Sequence, residues 1–406
     1  MRPFPSVDVA VVGSGVIGAA CAYFLARSGM QVALVERREV ASGASGGCDG
    51  IIIAQDHQPG YDSSLTIASN RIFRELTKEL DWDFEYSQKG TLLVIETEEE
   101  REFMLDRMRQ QIEGGLPVRF VDSQELYDQE PLLAPGLQGA IECATDAACM
   151  PIHLAVALVR GARRLGAEVH TFEEVRQIIL DRQGRIAGLT TDKREIRTSR
   201  VINCCGAWAP FLGKMVGLDI PIQPRRGQVV VVEQAAQVGH RMISEAHYIM
   251  AKFHPELTEG TDSEILKYGV AFVFEPTVSG TMLLGSSREF AAYDTRTTLP
   301  VLRAIIRRAI RFIPSLARLH CIRTYAGLRP FTPDHLAIIS AVEEVPGCYI
   351  AAGHEGNGIG LAPLTGQLMS QIIHGEPTTV DVAPLRWSRF RDGTRGSRFA
   401  KLVAGG

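Results

Sequence analysis

The sequence predicts a mixed α/β fold. A Rossmann-like nucleotide-binding domain with a parallel sheet is assembled from separated segments, and a mainly antiparallel sheet domain is inserted between them. Three observations point there. A strand–turn–helix–strand unit of about thirty residues opens the chain. Its style returns beyond residue 150 and again near the C-terminal end. Between these returns lie aliphatic strands of a different rhythm, two of them joined by a short turn ending Ser279-Gly280, as in an antiparallel hairpin.

Taken in order, Val7–Val12 is a short apolar run and Gly13–Gly18 is glycine-rich. Ala19–Ser28 has helical character before Gly29, and Gln31–Glu36 is a second strand. Gly90–Glu96 reads as a strand of the inserted domain, and the acidic run Glu96–Glu100 as a solvated helix start. His153–Leu165 is an amphipathic helix. Ala167–Thr171 and Gly184–Thr190 are strands in the style of the first unit, and Arg200–Asn203 runs into Cys204-Cys205-Gly206. Gly227–Glu233, Val270–Glu275 and Thr281–Gly285 are aliphatic or β-branched strands. The helix Val301–Phe312 sets Arg303, Arg307 and Arg311 on one stripe, either a solvated face or a docking face for an acidic partner. Cys348–Ala352 is a strand, followed by a glycine-rich entry into a helix over Leu361–Ile373. This order assigns 1–85, 150–222 and 325–385 to the nucleotide domain, 86–149 and 223–324 to the inserted substrate domain, and 386–406 to a C-terminal tail.

Bulk properties narrow the function. A chain of 406 residues exceeds what one compact core usually holds. A formal net charge of −4 argues against nucleic-acid binding, which needs a basic surplus. No apolar run approaches the roughly 18 to 20 residues that span a bilayer. Met1–Asp8 is too short and polar for a signal peptide. The eight cysteines contain no C-x-x-C pair, so they read as reduced, mostly buried thiols with no metal or iron–sulfur pattern, and a cytoplasmic location is expected.

The segment Val11-Val12-Gly13-Ser14-Gly15-Val16-Ile17-Gly18 matches G-x-G-x-x-G between a strand and a helix. Gly13 permits the tight turn, Gly15 lets backbone approach a pyrophosphate, and Gly18 allows close helix–sheet packing. The helix N-terminus supplies free N–H groups at Val16 and Ile17 and the positive end of the dipole. Glu36 closes the second strand, where its carboxylate can accept from ribose hydroxyls. Arg37, Arg38 and a second small-residue loop, Ala41-Ser42-Gly43-Ala44-Ser45-Gly46-Gly47-Cys48, follow at once. Close backbone approach at Gly46 and Gly47, with hydroxyls at Ser42 and Ser45, suits FAD.

With these blocks, VINCCGAWA, YAGLRPFTPDHLAII and AAGHEGNGIGLAPLTG, the chain resembles the FAD-dependent D-amino acid oxidase superfamily on its glycine oxidase and sarcosine oxidase side. The resemblance runs from Asp8 to about Ile373. It implies that Gly356, Asn357, Gly358 and Ile359 line the flavin ring, with the following helix dipole steadying charge on the reduced flavin. It likewise implies cofactor contacts at Val175, Gly206, Trp208 and Gly327, while Cys204 and Cys205 stand where relatives often have small residues. Sarcosine oxidase-like proteins attach FAD through a cysteine seven residues before the Pro-Asp aspartate. Here that position is Gly327, so non-covalent FAD is expected, and Cys321 reads as a core thiol.

The resemblance gives Arg329 of G-L-R-P the role of gripping the substrate carboxylate, which aims the Cα–H at flavin N5. The sequence sets Arg329 on a backbone stiffened by a glycine turn and two prolines. His57 and Tyr248 are further catalytic candidates. The plain alternatives are a satisfied loop histidine and an ordinary strand tyrosine; His247, Lys252 and His354 are weaker candidates for the pocket. The implied reaction oxidises the Cα–N bond of a small amino or imino acid of the glycine, sarcosine, proline or opine type. Within the family the chain looks more similar to the catalytic β subunits of heteromeric amino-acid, opine or proline dehydrogenases than to free-standing oxidases. That resemblance implies partner subunits carrying FAD, FMN or iron–sulfur centres. A 2-hydroxy acid or glycerol-phosphate dehydrogenase, and a non-catalytic subunit relaying electrons, are the alternatives.

Overall fold

The computed structural model describes residues 6–235, 241–254 and 263–391. Among these a six-stranded sheet has the order Ile338–Ala341, Cys348–Ala352, Val201–Asn203, Val9–Val12, Val32–Val35, Glu168–His170. All its pairs are parallel except the edge pair between Ile338–Ala341 and Cys348–Ala352. Its central strands are covered on both faces, so Val9–Val12 and Val32–Val35 are continuous apolar runs rather than alternating ones. The helix Val16–Arg27 packs against the helices Pro151–Arg164 and Gly358–His374. Small residues let them meet closely. A Cβ on Gly366 would stand 2.7 Å from the Ala20 carbonyl oxygen, and one on Gly161 would stand 2.8 Å from the Tyr23 ring.

The second large sheet has eight strands, in the order Cys321–Phe331, Gln223–Val232, Met282–Gly285, Val273–Pro276, Met242–Glu245, Thr91–Ile95, Gly139–Cys143, Val118–Val121. It is antiparallel apart from the pair Met242–Glu245 and Thr91–Ile95. The hairpin expected around Ser279-Gly280 is present, pairing Val273 with Gly285. The helix Leu299–Phe312 lays Val301, Ala304, Ile305, Ala309 and Phe312 on this sheet, where Phe312 stacks on Phe272 at 4.5 Å.

Several expectations change. Ile186–Thr191 does not extend the parallel sheet; it pairs antiparallel with Val175–Leu180 and Glu195–Arg197 in a separate three-stranded sheet. The strand Cys321–Phe331 crosses the expected boundary at residue 325 and belongs to the eight-stranded sheet throughout. Cys321 is exposed rather than a core thiol. Of the tail, Trp387 is buried and Arg389 pairs with Asp334 at 2.8 Å; residues 392–406 lie outside the described residues.

The run Glu96–Glu100 is also not simply solvated. Glu100 is buried, and its carboxyl is pushed up to about 7, by burial first. Glu96 accepts from Arg308 at 2.6 Å and also pairs with Arg311, whose neighbour on the basic stripe, Arg307, pairs with Glu264 at 2.9 Å. Arg308 itself is buried and also grips Glu245.

Candidate active site

One cavity of about 680 Å³ runs from the glycine-rich turn after Val12 to the eight-stranded sheet. At its nucleotide end, Gly13 takes φ +102°, a left-handed conformation that a side chain would strain. Its amide donates to the Val35 carbonyl at 2.8 Å, and a Cβ here would stand 2.6 Å from the Cys204 carbonyl oxygen. Gly18 faces that same turn rather than the cavity, and any side chain there would collide with the Gly13 carbonyl. The Val16 amide, first of the helix, donates to Ser45 Oγ at 3.0 Å, which ties the two glycine-rich loops together. Glu36 accepts from the amides of Ser14 and Arg38, both at 2.9 Å, so its carboxylate is fixed on the cavity wall. Arg37 lies 4.6 Å from the Trp208 ring, and both line the cavity with Ile17, Ser42, Val175 and Gly206. Gly46 does not line it; its place against the Ala41 carbonyl leaves no room for a Cβ.

At the middle of the cavity Gly47 and Gly327 meet backbone to backbone. A Cβ on Gly47 would stand 2.9 Å from Gly327 Cα. Gly356, Asn357, Gly358 and Ile359 also line the cavity, where the helix Gly358–His374 begins. His354 is buried below them, its Nε2 2.9 Å from Thr365 Oγ1, and burial pushes its imidazole down to about 3, so it is neutral. A cradle of close-packed glycines, an acid fixed by two amides and a helix N-terminus on the cavity wall fit FAD well.

Arg329 stands beyond this cradle, on a strand rather than a turn. Its rigidity comes from pairing in register with Arg225 across the strand Gln223–Val232. Gly227 removes the side chain that would collide with the Arg329 guanidinium. Nη1 donates to the Ser287 carbonyl and Nη2 to Ser286 Oγ, each at 2.8 Å. The facing Arg225 is neutralised by Glu355, which also meets His335 Nδ1 at 2.9 Å. Arg329 touches only neutral acceptors, so among the described residues no carboxylate is ion-paired with it.

Tyr248 lines the cavity from the helix Ala246–Phe253, together with Lys252, so neither is a strand residue. His247 does not line it. His57 is fully buried behind Asp56, with Nδ1 3.1 Å from Asp62 and Nε2 3.4 Å from Asp56. Burial pulls its pKa down, yet Asp62 and then Asp56 outweigh it and the net direction is up. His57 is hydrogen-bonded to Asp62, and the neighbouring Asp56, not His57, lines the cavity, where it also meets Lys252 at 3.6 Å.

Sequence reasoning missed Asp49, an acid placed straight after the second glycine loop. It lines the cavity, and burial raises its pKa while Arg329 pulls it back. Glu275 accepts from the next amide, Gly50, at 3.0 Å, and its carboxyl is pushed up to about 8, by burial first and the Asp49 charge second. Ser286, Ser287 and Gly227 were missed as well; their only signal was two small polar residues ending a strand and a glycine beginning one. Among the described residues no group of His, Cys, Asp or Glu could hold a metal, and no helix is long and apolar enough to cross a membrane.

Comparison with known proteins agrees with this geometry. A family model described as FAD dependent oxidoreductase (DAO) matches residues 8–372. Hydrogen cyanide synthase subunit HcnC of Pseudomonas aeruginosa is 30% identical, the match covering 95% of this chain and 96% of that protein. The crystal structure of glycine oxidase from Geobacillus kaustophilus is 28% identical with a TM-score of 0.84, covering 95% of this chain and 99% of the other. That of L-proline dehydrogenase from P. horikoshii is 25% identical with a TM-score of 0.85, covering 96% and 98%.

Proposed function

The chain belongs to the DAO family of FAD-dependent oxidoreductases and acts on amino acids, and from that premise we propose that it oxidises the Cα–N bond of a small amino or imino acid seated on Arg329. The observation that carries this reading is the contrast between two facing arginines. Arg225 already has Glu355, whereas Arg329 presents a guanidinium held in place by Ser286 and Ser287 but bound to no anion. A planar fork fixed in this way accepts a carboxylate with two parallel hydrogen bonds. FAD, when bound, supplies the two-electron acceptor for the Cα–H. The substrate leaves as an imine, which water hydrolyses to an oxo acid and ammonia or an amine.

Asp49 supplies the counterpart for the nitrogen. A carboxylate on the cavity wall, with burial raising its pKa and that of neighbouring Glu275, can take a proton from the substrate ammonium, so that the amine reacts as the free base. Tyr248 and the Lys252–Asp56 pair close the far end of the cavity. In this reading the FAD is held without a covalent link, since the position of the attachment cysteine of sarcosine oxidase-like proteins is Gly327 here. The similarity to a protein described as a subunit supports a place in a larger assembly, with electrons passing to partner subunits.

The test is to mix the purified holoprotein without oxygen with glycine, sarcosine, D- and L-proline, an opine panel and the matching 2-hydroxy acids. Loss of the flavin's visible band with an amine and not with its hydroxy counterpart is the expected result. Bleaching by the hydroxy acids alone would overturn the reading.

A further inference from the structure

The inference that follows rests on the seat proposed for the substrate carboxylate on Arg329. Three cations, Arg225, Lys252 and Arg329, line the substrate end of the cavity, and a fourth, Arg288, lies against the ring of Tyr248, which lines it. Arg225 is pushed below the usual arginine range, by burial first and then by the charges of Arg288 and Arg329. Two of the four have carboxylate partners, Arg225 with Glu355 and Lys252 with Asp56. Elsewhere buried Arg226 has Glu289 and Asp294 and buried Arg308 has Glu245 and Glu96, while buried Arg107 donates to the backbone carbonyls of Gln55 and His57.

Arg288 has neither kind of partner. Its guanidinium carbon lies 4.5 Å from the centroid of the Tyr248 ring, and among the described residues it has no ion-pair or hydrogen-bond partner for that guanidinium. It directly follows Ser286 and Ser287, the two residues that hold Arg329, so the second free cation is tied to the first through a short rigid stretch. Among the described residues neither guanidinium is in an ion pair; burial and the Arg329 charge both push Arg288 down, and the charges of Glu245 and Asp56 offset this only in part. A ligand with two anionic groups would relieve both at once.

We infer that the natural substrate carries a second carboxylate, seated on Arg288 beside the Tyr248 ring, while its α-carboxylate sits on Arg329. The class is dicarboxylic: acidic amino acids or N-carboxyalkyl amino acids. Asp49 and the two free arginines then match one ammonium and two carboxylates. The Tyr248 ring orients the Arg288 guanidinium through its face and gives the substrate chain an apolar wall.

The experiment compares matched pairs differing by one carboxylate: sarcosine with iminodiacetate, alanine with aspartate, and 2-aminopentanoate with glutamate. Anaerobic flavin reduction by the holoprotein gives a second-order rate constant for each. In at least one pair the dicarboxylate is expected to exceed its partner by roughly 10-fold or more, about what one charge-assisted contact supplies. In Arg288→Met that ratio should fall by at least about 10-fold, and Arg288→Lys should recover part of it. A readout without turnover is the rise in Tm on adding malonate or succinate, expected to exceed the rise with acetate and to shrink in Arg288→Met. Monocarboxylates favoured in all pairs, or a ratio unmoved by Arg288→Met, would overturn the second subsite while leaving amine oxidation standing. No bleaching by any amine in a chain that holds FAD would instead sink the underlying reading, and this inference with it.

Discussion

At the residue scale, recognition of the substrate turns on which charges are paired. Arg329→Lys keeps the charge but loses the two-pronged grip, so kcat/KM should fall by roughly 10- to 100-fold at unchanged FAD content, measured by steady-state kinetics. The buried acids give a pH prediction. Glu275 is raised to about 8 and Asp146 to about 7, mainly by burial, so between about pH 4.5 and 8 the folded chain holds protons that the unfolded chain releases. Their contribution to stability is full below that window and is lost as pH rises through it. The Tm of the holoprotein should therefore drop between pH 5 and 8, and Glu275→Gln should flatten the drop; a Tm rising through this range would contradict the assignment. The resemblance singled out Arg329 through the G-L-R-P block, which is local in sequence. Its freedom from a counter-ion was not legible there, because Glu355 neutralises the facing Arg225 from a distant segment.

At the element scale, the glycine-rich turn, its helix and Glu36 could be read directly, since turn, cap and acid lie within one short unit. The seat of Arg329 could not. It depends on strand register, which sets Gly227 under the guanidinium, and on a neighbouring segment that brings Ser286 and Ser287 into reach. Gly227→Ala should accordingly push the guanidinium aside and raise KM several-fold, with the flavin absorbance spectrum unchanged. An unchanged KM would mean that the arginine's position does not matter. The acidic run at Glu96 misled for a related reason: its partner Arg308 is 212 residues away. Arg308→Met would leave Glu245 and Glu96 without a buried counter-ion and should cost about 3–5 kcal/mol in denaturant unfolding.

At the scale of the whole molecule, one cavity joins the parallel sheet to the antiparallel one. The six-stranded sheet brings the strand ends and helix N-terminus that suit a dinucleotide, and the eight-stranded sheet brings the cation that suits a carboxylate. Strand types and the broad order of segments were visible in periodicity; the boundary near residue 325 was not, because one strand, Cys321–Phe331, carries both the exposed Cys321 and the cavity-lining Gly327 and Arg329. The central claim is that Arg329 is the free cation that seats the substrate carboxylate. Rapid mixing without oxygen, following flavin reduction against substrate concentration in the native protein and in Arg329→Met, tests it most directly. The account predicts equal FAD content and a half-saturating concentration at least roughly 30-fold higher in the variant. Identical saturation curves in the two proteins would contradict it.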